Sequence, residues 1–294
     1  RGTLELSFPP VQETSAPELP NPTGNREPGL AALWHFDEPS GTNILDVAGR
    51  TIAKGSDTEV VSGQTGFGFA RLFDGEKSFV FIPHYETLRL DGPFTLELWI
   101  RPVDVKRAKP QTLISRWQTV GAQRGFALQI SPSGKINFLV SPEGSTTVEQ
   151  TGESILSAGI WHHVAAVYNG QDLRIYVNGI LDGRPLPFSG PVYTSNNPLY
   201  LGALVDNRVD QFYKGVLDEV GIYNRALNET EILAHFGNLQ GLAGLWHFNE
   251  RGGPLADQSG YGQNATVFGD ADGVRYEAEG KIGTALSFQG RNSY

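Results

Sequence analysis

Three loop regions of the sequence bring aromatic side chains together with amides and charged groups. They lie around residues 116–118, 193–197 and 206–213. Sugar-binding sites combine an aromatic platform with a few oriented polar groups, so this mixture predicts a ligand face. The residues that we predict to contact the ligand are Trp117, Arg124, Asn207, Arg208 and Tyr213. The alternative is that they are ordinary residues of surface loops.

Groups that could carry catalysis are scarce in this sequence. Glycosidases use a pair of carboxylates that flank the scissile bond. Glu97 stands alone in its predicted strand, and Asp218 and Glu219 are neighbours, which a strand directs to opposite faces. The sequence also has no cysteine nucleophile, Gly-x-Ser-x-Gly elbow or phosphate-binding loop. We therefore predict a protein that is not an enzyme.

The histidines do not form a metal-binding motif either. His162 and His163 are adjacent in a predicted strand, so their side chains point to opposite faces and cannot chelate one ion. His35 returns as His247 in a repeated segment, which indicates a shared strand environment. We predict structural roles for all four.

A long repeat defines the domain organisation. GLAALWHFDE at residues 29–38 returns as GLAGLWHFNE at residues 241–250, and residues 68–79 are echoed at 283–294. The period is about 210 residues, far beyond the 20–50 residues of solenoid repeats, so whole domains are duplicated. We predict an extended linker at 1–28, which alternatively ends a preceding domain, a complete domain at 29–238, and an incomplete second copy at 239–294. Either residues missing from this chain or strands of a neighbouring copy would complete it.

The first copy reads as β-structure almost throughout. It consists of apolar segments of about four to eight residues bounded by Gly, Pro, Asn, Asp or Ser. The one convincing helix follows the N-cap residue Asn228 and runs over residues 229–236. This pattern predicts an all-β fold, a two-sheet antiparallel jelly-roll sandwich with one short helix. The residues predicted to be buried in its core are Trp34, Phe36, Phe73, Leu96, Leu98, Val164, Ile175, Val177 and Ile222.

Composition and charge narrow the function classes. The formal net charge of −9 disfavours binding to nucleic acid or anionic membranes through bulk electrostatics. No run of about 18 apolar residues is present, so we expect no membrane span. The absence of cysteine excludes disulfides and thiolate metal sites.

Six motifs in a fixed order carry a family resemblance. They are WHFDE, LFDG, FTLELWI, WHHVAAVY, LRIYVNG and LDEVGIYNRALNETEI, between residues 34 and 232. Together they make the stretch from residue 29 to about 237 similar to the laminin-G-like, concanavalin-A-like jelly-roll family. The resemblance implies the fold but not the ligand, because the family hosts sugar-binding, adhesion and accessory modules.

The resemblance also implies a structural calcium ion near the Asp-Gly turn and the Asp-Glu strand. Carried over residue by residue, its ligands would be Asp74 and Asp218, with Asp37 as a third, and we expect Asp74 and Asp218 to lie within reach of one cation. The alternative is that Asp74 forms a turn and Asp218 is a hydrogen-bonded acid. In the second copy Asn249 and Gln289 replace two of these acids, so we expect that copy to bind calcium poorly.

These observations favour a non-catalytic extracellular module of a tandem array that acts in carbohydrate binding or adhesion. Its partner would be a glycan or an extracellular protein, and residues 241–294 could join neighbouring copies of the chain. Two alternatives stay open, a structural subunit of a surface layer or filament and an accessory domain of a secreted hydrolase. In each case the expected location is extracellular or at the cell surface.

Overall fold

The computed structural model of the chain describes residues 27–49, 51–64, 68–206, 208–238, 255, 265–266, 274–279 and 284–288. The predicted linker up to residue 26, Asn207 and most of the second repeat copy lie outside the described residues. The side chain of Arg208 is likewise not described.

The described residues form short strands with one α-helix and one 3-10 helix, Glu86–Leu88. The strands are β1 Leu30–Trp34, β2 Asn43–Leu45, β3 Ile52–Ser56, β4 Glu59–Ser62, β5 Phe69–Asp74, β6 Phe79–Ile82, β7 Phe94–Pro102, β8 Gln111–Arg116, β9 Phe126–Ile130, β10 Ile136–Val140, β11 Val148–Thr151, β12 His162–Tyr168, β13 Asp172–Val177, β14 Ile180–Leu181, β15 Leu186–Pro187, β16 Leu199–Leu201, β17 Leu204–Asp206, β18 Arg208–Asp210, β19 Lys214–Tyr223, β20 Val274–Glu279 and β21 Thr284–Phe288. The helix α1 is Glu229–Asn238.

Two antiparallel sheets face each other across the core. Sheet A has the strand order β14-β13-β12-β7-β19-β5-β4, with β1 beside β19 and β15 beside β13. Sheet B has the order β11-β10-β9-β8-β16-β6-β3-β2. Strands that follow each other in sequence are therefore often in different sheets, as in a jelly roll. The predicted fold class, an all-β sandwich with one short helix, is confirmed.

Strand β19 pairs with two different strands, β5 and β1, along the same edge. Its first half pairs with β5, from Lys214 opposite Asp74 to Leu217 opposite Arg71. Its second half pairs with β1, from Val220 to Tyr223. The register with β7 shifts between Asp218 and Gly221, and Glu219 has a φ of 51°. Such a bulge bends the strand at the point where β1 leaves the sheet and β5 takes its place.

Alternation along the strands builds the core, as predicted. In β7, Phe94, Leu96, Leu98 and Ile100 face the opposite sheet, while Thr95, Glu97 and Trp99 point outward. Every predicted core residue is buried except Val177, which is half-buried and packs against the core from the end of β13.

The helix begins where its capping signal predicts. The side chain of Asn228 accepts a hydrogen bond from the Glu231 amide (3.0 Å), and the Glu231 carboxylate accepts one from the Asn228 amide (2.8 Å). This reciprocal pair is a capping box. The apolar face of α1 packs on the outer face of sheet A through Ile232, Ala165 and Tyr176. Among the described residues, no helix has the length and apolar character that crossing a membrane requires.

The described parts of the second copy form a small ladder. Strands β20 and β21 pair antiparallel, and an isolated bridge joins Leu255 to Ala265. Neither the predicted domain boundaries nor the completion of this copy is tested by these pieces.

Candidate functional site

Three aromatic side chains lie side by side on the outer face of sheet B. Because Val80, Ile82, Leu199 and Leu201 face the core, the alternate residues Phe79, Phe81 and Tyr200 point outward. The ring centroids of Phe81 and Tyr200 are 5.6 Å apart in an edge-to-face arrangement, and those of Phe79 and Tyr200 are 6.0 Å apart. We call these three residues the aromatic surface.

The two phenylalanines are half-buried, so part of each ring is open to solvent. Tyr200 is 7% exposed, and its burial raises the pKa of its phenol to about 12. The aromatic surface is therefore fixed by packing between neighbouring rings while it still offers accessible ring area.

Polar side chains border the aromatic surface along strand β3. Lys54 is directly opposite Phe81 and Ser56 is opposite Phe79, so all four side chains point to the same face. Asn43 continues the row on β2, opposite Lys54. Lys54 is exposed, and no carboxylate among the described residues forms an ion pair with it. The arrangement offers apolar ring faces next to a cation and an amide.

A loop between β16 and β19 covers the neighbouring part of the same sheet. It contains the β17–β18 hairpin and is fixed by side-chain amides. Gln129 donates hydrogen bonds to Gln211 (2.7 Å) and to Thr112 (2.9 Å), while Ser115 donates one to the carbonyl of Ala203 (2.8 Å). The loop that contains the hairpin is thus attached to strands β8 and β9, which lie on the side of β16 away from β6.

Of the three predicted ligand residues whose side chains the structure describes, Trp117 and Arg124 lie together. Trp117 is 9% exposed and packs against Ala127 and Leu204 beneath the hairpin. The guanidinium of Arg124 lies 5.9 Å from its ring centroid, a cation–π contact. Asp206 of β17 accepts a hydrogen bond from the Thr119 amide in the same loop region (2.9 Å). A ligand role for Trp117 and Arg124 stays a prediction, as it does for Asn207 and Arg208.

Tyr213 requires a correction. Its side chain is fully buried, packs on Phe73 with ring centroids 6.1 Å apart, and donates a hydrogen bond to the carbonyl of Val216 (3.2 Å). The polar sequence before it suggested an exposed loop, but the chain turns inward at this point. Tyr213 is a core residue and does not contribute to a surface site.

The predicted pair of calcium ligands also requires a correction. Asp74 is opposite Lys214, four residues from Asp218 along β19, which corresponds to about 13 Å in a strand. One carboxylate oxygen of Asp74 accepts hydrogen bonds from the amides of Glu76, Lys77 and Ser78. Burial opposes ionisation, but these amides outweigh it and lower the pKa of Asp74 to about 2. Asp74 and Asp218 do not share a site, and Asp74 stabilises its turn.

Asp218 lies instead near Asp37, at the bulge where β1 and β5 meet. Burial, followed by the negative charges of Glu219 and Asp37, raises the pKa of Asp218 to about 9. Its Oδ2 atom is buried without a hydrogen-bond partner among the described residues, while Asp37 accepts a hydrogen bond from the Phe69 amide (2.8 Å). We call Asp37, Asp218 and Glu219 the acid junction. No group of three or more His, Cys, Asp or Glu side chains in the described parts of the chain is arranged to hold a metal ion.

On the outer face of sheet A, the acid Glu97 is enclosed by a network of ion pairs. Its carboxylate contacts His163 on β12 (2.7 Å) and His235 on α1 (2.8 Å), and His235 contacts Glu27 (3.1 Å). We call these four residues the ion network. Trp99 stacks on Phe236 of the helix, 5.7 Å between ring centroids, and helps to close the site.

The electrostatics of the ion network follow from burial and pairing. Burial alone would raise the pKa of Glu97, but the charges of His163 and His235 and their hydrogen bonds lower it to about 2. Burial likewise opposes protonation of His235, yet hydrogen bonds to Glu27 and Glu97 raise its pKa to about 10. Glu97 is therefore a firmly ionised, enclosed acid, which is the opposite of a general acid that must release a proton to a substrate.

Sequence reasoning missed the aromatic surface, although its signal was present. The segment at residues 79–82 places aromatic residues at alternate positions and aliphatic residues between them. Both faces of such a strand are apolar, which is typical of a strand between two layers. Among the described residues only one face has a layer against it, and the rings of Phe79 and Phe81 are half-buried.

Comparison with known proteins identifies the family. Residues 74–233, more than half of the chain, match the concanavalin A-like lectin/glucanases superfamily. The chain belongs to this family. Its membership agrees with the sandwich topology and confirms the resemblance seen in the sequence. No curated protein sequence matches the chain significantly.

Several solved structures share the fold. Domain 4 of AbnA, a GH43 extracellular arabinanase from Geobacillus stearothermophilus, solved in complex with arabinotriose, is 19% identical, with a TM-score of 0.53 over 71% of this chain and 98% of that domain. The binding domain of Paraclostridial Mosquitocidal Protein 1 is 17% identical, with a TM-score of 0.60 over 90% of this chain and 68% of that one.

A third structure is that of botulinum neurotoxin type C, in a study of its interaction with two ganglioside molecules. It is 15% identical, with a TM-score of 0.54 over 71% of this chain, and the match spans about half (51%) of the toxin chain. At these identities the likeness establishes the fold, and this superfamily contains binding modules of several kinds.

Proposed function

We propose that the chain is a carbohydrate-binding module whose ligand lies on the aromatic surface of sheet B. The observation that carries the proposal is the set of partly open rings of Phe79 and Phe81, fixed against Tyr200 and bordered by Lys54 and Ser56. Sugar rings have apolar faces that pack on aromatic side chains and hydroxyl groups that bond to neighbouring polar groups.

The comparisons support a binding module of this type. The arabinanase domain was solved with arabinotriose, and the neurotoxin structure concerns gangliosides, which carry sugar head groups. The arabinanase case favours the accessory role within a larger secreted enzyme over the role of a structural subunit. We propose the same extracellular setting for this chain.

We propose a non-catalytic role because Glu97 and Asp74 are poorly placed for glycoside hydrolysis. Glu97 is closed beneath α1, Asp74 is held by backbone amides, and neither borders the aromatic surface. An adhesion role would use the same surface for a glycan on a cell or matrix.

A glycan array probed with the whole chain tests the proposal. We expect binding to a defined set of oligosaccharides and loss of about tenfold or more in affinity on Phe81→Ala, since the substitution removes a stacking ring. Phe69→Ala is the matched control because Phe69 is an exposed phenylalanine on sheet A. An array without binding by the folded protein, or equal affinities of the two variants, would refute the proposal.

We further propose that the acid junction holds a structural calcium ion. A buried carboxylate with a raised pKa and an orphan oxygen lacks a positive partner, and Asp218 shows both features. Asp218 and Asp37 would supply carboxylate oxygens, and backbone carbonyls are the usual further ligands of calcium. The ion would replace the proton that the raised pKa keeps on Asp218, beside Asp37 and the pair that Glu219 forms with His35 (2.6 Å).

Thermal unfolding in calcium and in EDTA tests this second proposal. Calcium at a hundredfold excess over its Kd should stabilise the protein by about 2.7 kcal/mol. Asp218→Asn should abolish that shift and raise the stability in EDTA, because Asp218 must take up a proton to stay neutral in the folded protein whereas asparagine needs none. Identical unfolding in calcium and EDTA would exclude the site, as would an undiminished calcium shift in the variant.

A further inference from the structure

A second cleft, separate from the aromatic surface, lies where the β5–β6 turn meets the loop between β7 and β8. It has a volume of about 300 Å³ and is lined by Gly75, Arg107, Lys109, Gln111, Asp210 and Phe212, among others. We call it the anion cleft. Its size is at the lower end of the range of small-molecule sites, so it fits a single sugar unit or a similar group.

The charge of Arg107 is not neutralised in this cleft. The guanidinium donates hydrogen bonds to the carbonyls of Gly75 (3.2 Å) and Phe212 (3.5 Å), and no carboxylate among the described residues forms an ion pair with it. The two carbonyls orient the group without cancelling its charge. The chain carries a formal net charge of −9. An arginine that is fixed in position without a carboxylate partner among the described residues is therefore a local site of positive charge in an acidic protein.

The walls of the cleft hold this guanidinium in place. Gly75 has a φ of 78°, which favours glycine, and a Cβ atom there would meet both the Arg107 guanidinium and the side chain of Lys214. Gln111 ties the loop to β19, since it donates to the carbonyl of Asp104 (2.6 Å) and accepts from the amide of Lys214 (3.0 Å). A site with pre-positioned donors loses little freedom on binding.

Lys109 supplies a second cation at the rim. Its ammonium contacts both carboxylate oxygens of Asp210, at 3.0 and 2.7 Å. The pair is partly exposed, so the attraction is modest and leaves the ammonium free to turn toward a ligand. Asp210 thereby moderates the positive charge of the cleft.

We propose that the anion cleft binds the carboxylate or sulfate group of an acidic saccharide. A guanidinium group can donate two hydrogen bonds to the two oxygens of a carboxylate or to two oxygens of a tetrahedral sulfate, and hydrogen bonds to charged acceptors are the strong ones. The half-buried Phe212 in the lining adds an apolar contact for the sugar ring. An acidic peptide offers the same oxyanion, but a cleft of this size has no groove for an extended backbone.

Titration of the whole chain with four probes tests the proposal. These are a galacturonate tetrasaccharide, a chondroitin sulfate tetrasaccharide, neutral arabinotetraose and tetraglutamate. We expect at least one acidic saccharide to bind with an affinity that falls as salt rises. Arg107→Gln should weaken that binding about tenfold or more, while thermal unfolding falls only slightly through the loss of its two carbonyl hydrogen bonds.

Two further variants control for the loss of a positive charge elsewhere on the surface and for misfolding. Arg89→Gln removes the same charge from an exposed position beside Glu86 and Asp91, and should leave binding unchanged. Asp210→Asn frees Lys109 and should strengthen binding, an effect that misfolding would not produce. Acidic saccharides that bind no better than arabinotetraose, an Arg107→Gln affinity equal to wild type, or a preference for tetraglutamate would each overturn the inference.

The test is independent of the first proposal, because the cleft and the aromatic surface use different residues. If Phe81→Ala leaves all binding intact while Arg107→Gln weakens the acidic probes, the aromatic surface is wrong and the anion cleft stands. If only Phe81→Ala has an effect, the reverse holds.

Discussion

The outer faces of the two sheets differ in how deeply they are buried, and the polarity of their side chains alone would not predict this difference. On sheet A the outward residues Glu97 and His163 are polar and titratable, yet they are buried because α1 lies on them. On sheet B the outward residues Phe79 and Phe81 are apolar, yet they stay partly open. In a sandwich, the burial of an outer face depends on which later segment of the chain covers it. The polarity of the side chains on that face does not by itself determine whether they are buried. The covered face fixes the helix, and the open face is available to a ligand.

Breaking the ion network should have the largest effect of the changes that we consider. Glu97→Gln leaves His163 and His235 without their charged partner in a buried place, and such losses cost about 3 kcal/mol or more. Urea unfolding of the variant should show a lower midpoint, with Glu76→Gln as an exposed control. A midpoint within error of wild type would mean that the network does not hold the helix.

The same network should give stability a defined pH window. Glu97 is ionised down to about pH 2 in the folded protein and near its usual 4.5 when unfolded, so its contribution is complete above pH 4.5 and lost as pH falls toward 2. The pKa of His235 is raised from 6.5 to about 10, so its contribution is complete below pH 6.5 and lost as pH rises toward 10.

The contribution of the ion network to stability should therefore be greatest between about pH 4.5 and 6.5 and fall on both sides, by on the order of 2 kcal/mol, as measured by the difference between wild type and the network variants. Urea titrations at a series of pH values measure this. His235→Gln should flatten the alkaline side specifically. An alkaline side that is unchanged in this variant would assign the loss to other groups.

Removing a ring from the aromatic surface should change binding more than stability. Phe79→Ala shortens the aromatic surface at its outer end, and we expect it to weaken glycan binding about threefold to tenfold. Since Phe79 is only half-buried, the free energy of unfolding should fall by about 1 kcal/mol. A variant that loses several kcal/mol of stability and no affinity would assign the ring to packing.

The smallest effect is expected at Glu27, the member of the ion network that lies just before β1. Glu27→Gln keeps an acceptor for the Tyr223 hydroxyl, whose hydrogen bond is 2.9 Å, but removes the ion pair with His235. Because Glu27 is partly exposed, we expect a loss of about 0.5–1 kcal/mol in urea unfolding and no change in glycan binding. Any change in binding would show that the two faces communicate.

The sequence predicted what depends on neighbouring residues. The alternation in β7 and the capping box at Asn228 are local, and both are confirmed. Contacts between segments that are far apart in the sequence could not be predicted from it. Asp74 and Asp218 were paired wrongly because the register of β5 on β19 is set by the whole sheet. The closure over Glu97 depends on His235, 138 residues away.

The prediction for Tyr213 was wrong and the aromatic surface was missed for the same reason. Tyr213 follows a polar stretch, and only the tertiary fold shows that the chain turns inward there. The aromatic surface requires strands β6 and β16 to become neighbours, although more than a hundred residues separate them along the chain. Periodicity shows which residues share a face, but it does not show which faces meet.

The pairing of β1 with β19 has a mechanical consequence. Leu30, the first residue of β1, is opposite Tyr223, the last residue of β19, so the chain enters and leaves this pair at the same end. A pulling force applied through both ends would peel the two strands apart one hydrogen bond at a time, which requires less force than sliding them past each other. The contacts of Glu27 with His235, Arg225 and Tyr223 lie at that end and must break first. They form a fastener that protects the sandwich from tension along the chain.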